Sequence, residues 1–228
     1  MKTILSVVIV LLAISCTKDT SNFILTGNIK GLKKGTVYLE REQDSTFKII
    51  DSVVINGNPQ FELHCNLEEP EVLFLRLNKN DSKEGIITFF ADKGVTEINT
   101  TLKNFNFDAK IKGSKQQELL EEYLVMMSKF NDQNLDLIKE QFESKKENDS
   151  SSLDYGDKYN SLVRRQYLYT INFAVTHNSS EIAPYLAVTQ ISDTNIKFLD
   201  TIYNSLEDHI KPSLYGKKLK EIIDNRNQ

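Results

Sequence analysis

Two cysteines and three histidines are the side chains of this 228-residue chain best suited to nucleophilic, redox or metal chemistry. Their spacing argues against most of it. Cys16 and Cys65 form no C-x-x-C, so there is no dithiol redox motif. In "QFELHC" Cys65 alternates with Phe61 and Leu63, the pattern of a strand's apolar face, which reads as a small buried hydrophobe rather than a reactive thiol. His64 is its chain neighbour, but successive strand residues point to opposite faces, so the two do not make a Cys–His pair. His177 and His209 stand apart from His64 and from each other, and none sits at metal-ligand spacing with Cys or paired carboxylates. No G-x-S-x-G elbow, phosphate loop, dinucleotide fingerprint or H-E-x-x-H occurs. The acidic runs "LEEPE" and "LLEEY" fall on expected loops and helix faces, where charge is the default. These residues assign no catalytic, cofactor-binding or metal site.

Cys16 is better explained by what precedes it. "MKTILSVVIVLLAIS" carries one charge, Lys2, and then an apolar run from Ile4 to Ile14 broken by Ser6. The run is shorter than the roughly 20 residues a helix needs to cross a bilayer, and it has the length and flank of a secretory signal. "LAISC" resembles the lipobox of bacterial lipoproteins. The resemblance implies cleavage after Ser15 and acylation of Cys16 at its thiol and its new amine. Each buried acyl CH₂ contributes about 0.8 kcal/mol, so the expected protein sits on a membrane without spanning it. Residues 1–15 are thus read as a lipoprotein signal peptide and 16–22 as a lipidated polar tether. In the tether Lys18 and Asp19 weakly resemble the surface-export signals of Bacteroidota lipoproteins, which leaves the periplasmic or surface face open.

Without the leader, roughly 210 residues remain, enough for one large domain or two small ones. The formal net charge is −4, and losing Lys2 makes it more negative. The basic patches "KGLKKG" and "GKKLK" have no interleaved aromatics and no net positive charge behind them, so nucleic acid is excluded as a partner. With Cys16 on lipid, Cys65 has no partner for an intramolecular disulfide.

From Phe23 to Gly113 the periodicity is that of strands, in eight segments from "FILTGNIK" to "NFDAKIKG". Phe105, Phe107, Ala109 and Ile111 alternate cleanly in the last of them. Turn signals separate the segments: Gly31 to Gly35, "NGNP", "NKNDSKEG" and "DKG". Short, evenly spaced, one-sided strands predict an antiparallel β-sandwich or open barrel of 7–8 strands over residues 23–114. The period then becomes helical. Ser114 is positioned to cap a helix with Gln117 in its first turn, close to a capping box, and Leu119, Tyr123, Met127, Phe130, Leu135, Ile138 and Phe142 form its stripe. After the polar "ESKKENDSSSLD", a second helix runs from Tyr155 to His177, with Tyr169 inward and Tyr167 toward another face. "SEIAPYLAVTQI", "SDTNIKFLDTIYNSL" with a Ser or Asp cap, and "KPSLYGKKLKEII" with Pro212 and Ser213 in its first turn complete a helical module over 115–228. The fold class expected is α+β, a sandwich followed by 4–5 helices.

"DSVVINGNPQFEL" resembles a domain of unknown function common in Bacteroidota lipoproteins. "FILTGNIKGLKKGTVYLE", "EEPEVLFLRL", "FFADKGVTEI" and "AKIKGSKQQELLEEY" are similar to its opening hairpin, Pro-led strand, aromatic-to-Gly turn and junction into helices. In that family the module usually precedes a thioredoxin-like domain of the thiol-disulfide oxidoreductase or peroxiredoxin type, and "SLYGKKLKEII" is similar to the segment just before it. The C-x-x-C such a domain would carry does not occur here, and "NPQ" after Gly57 departs from the family's turn. No catalytic residue carries over.

The expectation is therefore an envelope lipoprotein, anchored at the outer membrane through Cys16, with a non-enzymatic domain that binds a partner protein or ligand and uses no cofactor. The alternative is an accessory acting in trans with a separate thioredoxin-like oxidoreductase. Nutrient or glycan binding is a third reading, which a cleft lined with exposed tyrosines would favour.

Overall fold

The computed structural model describes residues 21–43, 45–78, 85–146 and 152–226, with the backbone alone at 145–146 and 152–154. The leader and Cys16 lie outside them.

Eight strands follow one another from the start: β1 (Phe23–Lys30), β2 (Lys34–Gln43), β3 (Thr46–Asn56), β4 (Gln60–Cys65), β5 (Glu71–Asn78), β6 (Gly85–Ala91), β7 (Gly94–Thr101) and β8 (Lys110–Lys112). They form two four-stranded sheets, ordered β4-β1-β7-β8 and β3-β2-β5-β6. The alternation read in the sequence is what drives the two together. Phe23, Leu25, Leu63 and Ile98 of the first sheet meet Val37, Leu39, Leu73, Leu75 and Phe89 of the second, all fully buried. Each such side chain removed from water is worth about 1.5–3 kcal/mol. At the open side of the sandwich Asp51 faces inward from edge strand β3, and its Oδ2 accepts the His64 N–H of β4 at 2.8 Å. An inward carboxylate also keeps that edge from pairing with other chains.

Two features correct the sequence reading of the sandwich. It is not wholly antiparallel, because β1 and β7 pair in parallel from Phe23↔Gly94 to Lys30↔Thr101. The two strands are separated by five others and by repeated crossings between sheets, so no local periodicity reports their pairing. The last strand is also shorter than "NFDAKIKG" suggested. Residues 102–109 are turns, Phe107 is 93% exposed and only Lys110–Lys112 pair with β7. Here side chains compete with the ladder. Thr101 Oγ1 donates to Asp108 at 2.6 Å and accepts the Asn104 N–H at 3.2 Å, while Thr100 Oγ1 donates to the Phe105 carbonyl at 2.7 Å.

The start of β1 is clasped. Asn22 Nδ2 donates to the Leu67 carbonyl at 2.7 Å, the Leu67 N–H returns to Asn22 Oδ1 at 2.8 Å, and the Asn22 N–H donates to Asn66 Oδ1 at 3.1 Å. In the β3–β4 turn Gly57 takes φ +94°, and the Pro59 carbonyl accepts the Ile29 N–H at 3.1 Å, so "NPQ" is tied back to β1.

Five helices follow: α1 (Lys115–Lys146), α2 (Ser152–Thr176), α3 (Ile182–Gln190), α4 (Ile196–Ser205) and α5 (Leu214–Arg226). They cover part of the outer face of the second sheet. Phe90 and Val72 of that face pack with Leu120, Tyr123, Phe173, Leu186 and Tyr215 of the helices. A second helical cluster, including Ala174, Leu199, Ile202, Leu219 and Ile223, binds α2 to α5 together. Ser114 does cap α1, accepting the Gln117 N–H at 3.1 Å, and Asp92 supports it by accepting Ser114 Oγ–H and the Gln116 N–H at 2.9 and 3.0 Å. The apolar stripe of α1 is in the core only as far as Met127 and Phe130. Leu135 and Phe142 are 55% and 63% exposed, because the second half of α1 pairs with α2 beyond the sheet. The α4 cap is Asn195, whose Oδ1 accepts the Lys197 N–H at 3.0 Å, in place of the Ser or Asp expected. Pro212 and Ser213 precede α5 rather than form its first turn, and Ser213 Oγ accepts the Gly216 N–H at 3.2 Å.

The last helix is tied to the sandwich across most of the sequence. Glu69 accepts the Leu214 N–H at 2.7 Å, a carboxylate at a helix N-terminus where charge is favoured. The Val72 N–H donates to the Tyr215 hydroxyl at 3.0 Å, 143 residues away. Burial raises the Tyr215 phenol well above its ordinary value, so it remains a neutral hydroxyl.

Candidate functional site

The residues that could have done chemistry are held apart. Cys65 pairs in register with Phe23, faces the sandwich core and is 6% exposed. Burial pushes its thiol up to about 11, the Arg41 guanidinium opposing this and Glu71 and Asp51 adding to it. A thiolate is therefore disfavoured where a nucleophile would need one. His64 lies on the opposite face, with Nδ1 3.2 Å from Ser21 Oγ and Nε2 3.1 Å from Glu62. His177 stacks on Phe173 at the end of α2, its Nδ1 2.8 Å from the Phe173 carbonyl. His209 stands by Glu207 at 3.4 Å on an exposed turn. Among the described residues no group of three His, Cys, Asp or Glu could hold a metal ion.

The polar groups that are brought together tie helices to one another and strands to one another. Gln116, 6% exposed, accepts Ser180 Oγ–H at 2.7 Å and the Ile182 N–H at 3.0 Å, and its Nε2 donates to Glu181 at 2.6 Å. This ties the N-termini of α1 and α3. Burial raises the Glu181 carboxyl, with Asp92 and Glu69 adding to the effect and His209 opposing it. Glu71 is likewise raised by burial, against a two-bonded Arg41 at 2.8 and 2.6 Å. On the outer face of the second sheet Glu40, 2% exposed, receives Arg76 Nε at 2.9 Å, and Arg76 also stacks on Tyr38 at 4.5 Å. Tyr167 and Tyr169 of α2 pack rather than line a cleft, while Tyr159 is exposed and stacks on Tyr155. Tyr169 meets Tyr123, Phe130 and Phe173, and Tyr167 joins the second helical cluster.

Three open grooves are lined by described residues. One, of about 520 Å³, lies on the polar outer face of the first sheet between Thr26, Asn28, Gln60 and Glu97. Another, of about 490 Å³, runs between α1 and α2 beside Leu137, Leu162 and Arg165. The third, of about 560 Å³, fills the space between edge strands β6 and β8 and the first turns of α1. Its apolar floor is Ile87, Ala109 and Ile111, with Ile86 and Thr88 on the opposite face of β6. Lys110 and Lys112 border one side, and Gln117, Glu121 and Leu124 the other. None of the three has a described tyrosine in its lining. The third combines apolar depth, a basic rim and strand edges, and is the best-equipped binding surface. The spacing of its residues in the sequence does not reveal it, since that spacing marks Gln117 only as a capping partner and residues 106–113 only as a strand.

No curated protein and no solved structure matches the chain. Residues 23–120, the sandwich with the first residues of α1, match the model of a family described as a Domain of unknown function (DUF4369).

Proposed function

We propose that the chain is a lipid-anchored lipoprotein of the bacterial cell envelope, held at the outer membrane through acylated Cys16, whose sandwich and helices bind a partner protein without catalysing a reaction. The observation that carries the binding part is the groove between β6, β8 and α1, with apolar floor and charged rim. The lipobox-like "LAISC" supports the anchor. The resemblance to modules that precede thioredoxin-like domains gives one partner class, a separate thiol-disulfide oxidoreductase. With Cys65 buried in the core, that partnership would rest on surface contact and not on a mixed disulfide.

Two measurements test the reading. Cys16→Ala should move the protein from the membrane to the soluble fraction, and retention on the membrane would sink the anchor. A photo-crosslinking residue at Leu124, 49% exposed beside the groove, should give a discrete protein adduct in the anchored chain, whereas one at Val54, 74% exposed on β3, should not. Absence of adducts at Leu124 and across the other two grooves would overturn the binding role, as would turnover by the purified domain.

A further inference from the structure

We propose that the groove is a strand-addition site, in which the free edge of β6 accepts an extended acidic segment of a partner polypeptide as a fifth strand of the second sheet. This rests on the binding reading above and names its mode and its ligand class.

In an antiparallel pair, opposed residues alternate between exchanging both backbone bonds and pointing them away from each other. In the β5–β6 pair Val72 faces Phe90, Phe74 faces Thr88 and Arg76 faces Ile86, with no shift of register. Val72 and Phe90 do not bond each other. The Val72 N–H goes to Tyr215, and the Phe90 N–H goes to Gln117 Oε1 at 2.9 Å. They are therefore an outward-pointing pair, and alternation makes Thr88 and Ile86 outward-pointing too. β6 is the edge of its sheet, so the N–H and C=O groups of Thr88 and Ile86 face the groove.

Gln117 shows what such an edge accepts. Its amide oxygen sits where the carbonyl of a neighbouring strand would sit, and so supplies one rung of the missing ladder. Its Nε2 is turned the other way, to Glu121 at 2.9 Å. The chain caps the inner end of the edge in this way and leaves the next two outward residues without a backbone partner among the described residues. An incoming strand would continue from Thr88 toward Gly85. Alternate side chains of that strand would lie on the core-facing side, beside Ile87, Ala109 and Ile111, and the others on the side of Ile86 and Thr88, toward α1.

Charge narrows the ligand. Lys110 and Lys112 both border the groove, are exposed, and have no ion-pair partner among the described residues. The facing Glu121 accepts Gln117 Nε2–H and keeps its charge, and the two lysines still leave the rim net positive. A local positive rim on a chain of net charge −4 selects acidic over basic segments, mainly through encounter and register.

The test uses a blocked, fluorescein-labelled heptapeptide alternating Val and Glu, and its counterpart with Lys in place of Glu, titrated with the purified Cys16→Ala chain. The Glu peptide should bind about tenfold more tightly at low salt, and the preference should shrink as salt screens the rim. Thr88→Pro removes an outward N–H that the β5–β6 ladder does not use, and edge positions tolerate Pro. It should weaken the Glu peptide about tenfold, while Thr88→Val, which keeps the N–H, should bind like the parent. Lys110→Glu with Lys112→Glu should reverse the charge preference. No binding of the Glu peptide, equal binding of both peptides, or binding that survives Thr88→Pro overturns strand addition. The crosslink from Leu124 separates the two levels. If it persists in Thr88→Pro, the groove binds its partner some other way, and if it never forms, the binding role itself falls.

Discussion

Replacing Gly216 by Ala sets two effects of opposite sign against each other. Gly216 lies in the first turn of α5, and Ala in a helix interior is favoured over Gly by about 1 kcal/mol. Its surroundings oppose the change. A Cβ there would come within 2.4 Å of the Ile210 carbonyl oxygen and 2.5 Å of the Lys211 carbonyl oxygen, where ordinary contact begins at 3.4 Å. Both obstacles are backbone, so no side chain can swing aside, and the start of α5 must retreat by close to an ångström. Overpacking of this kind costs about 1–3 kcal/mol. The retreat also strains the bonds from Leu214 to Glu69 and from Val72 to Tyr215, each worth about 1 kcal/mol net. The clash wins, and Gly216→Ala should lower stability by about 2 kcal/mol after the propensity gain is subtracted. Gly156 in α2 supplies the control, since a Cβ there meets nothing within 4 Å. Gly156→Ala should raise stability by about 0.5–1 kcal/mol. Urea unfolding of both variants, followed by circular dichroism with a common slope, measures the pair. A Gly216→Ala protein as stable as Gly156→Ala would refute the claim that α5 is closely docked.

Two further predictions concern buried ionisable groups. Cys65 should resist thiol reagents in the folded protein and label at the rate of unfolding. Because its folded value is raised from 9.0 to about 11, the fold holds that proton more tightly than the unfolded chain does, so stability relative to Cys65→Ala should fall between about pH 9 and pH 11 and be flat below. Rapid labelling under native conditions would show the thiol to be accessible. Arg76→Met should cost about 3–5 kcal/mol, since it leaves Glu40 buried without its guanidinium; a loss under 1 kcal/mol in urea unfolding would mean that water reaches Glu40.

The sequence was most informative where one physical pattern dominated. β1, β2, β4 and β5 carry buried apolar residues at alternate positions, bounded by Gly, Asn, Asp and Pro, and burial against one opposite sheet leaves that alternation little freedom. Where two local preferences compete, periodicity misled. Phe105 and Phe107 alternate like a strand, yet the hydroxyls and carboxylate of Thr100, Thr101 and Asp108 hold 102–109 in turns. Helix length was legible in α1, but the extent of its burial was not, because the stripe through Leu135 and Phe142 continues past the sheet that would cover it. The candidate site was invisible for a related reason. Gln117 was expected to reach back along its own helix, and whether an amide bonds locally or across to Phe90 is decided by where the sheet edge lies. The parallel pairing of β1 with β7 depends likewise on contacts distant in sequence.

The amide clasp at Asn22 has a mechanical consequence. A pull transmitted from the residues before Ser21 enters the domain at the head of β1, after first meeting the three hydrogen bonds that hold Asn22 to Asn66 and Leu67. Behind them β1 is an interior strand, with β4 on one side and β7 on the other. A strand flanked on both sides cannot be peeled off rung by rung from a free edge. Tension along it loads both ladders together in shear, and resistance to such loading is governed by the rate of unfolding rather than by equilibrium stability. The chain thus meets force at a strand braced on both sides, while the edge open to a partner, β6, lies in the other sheet.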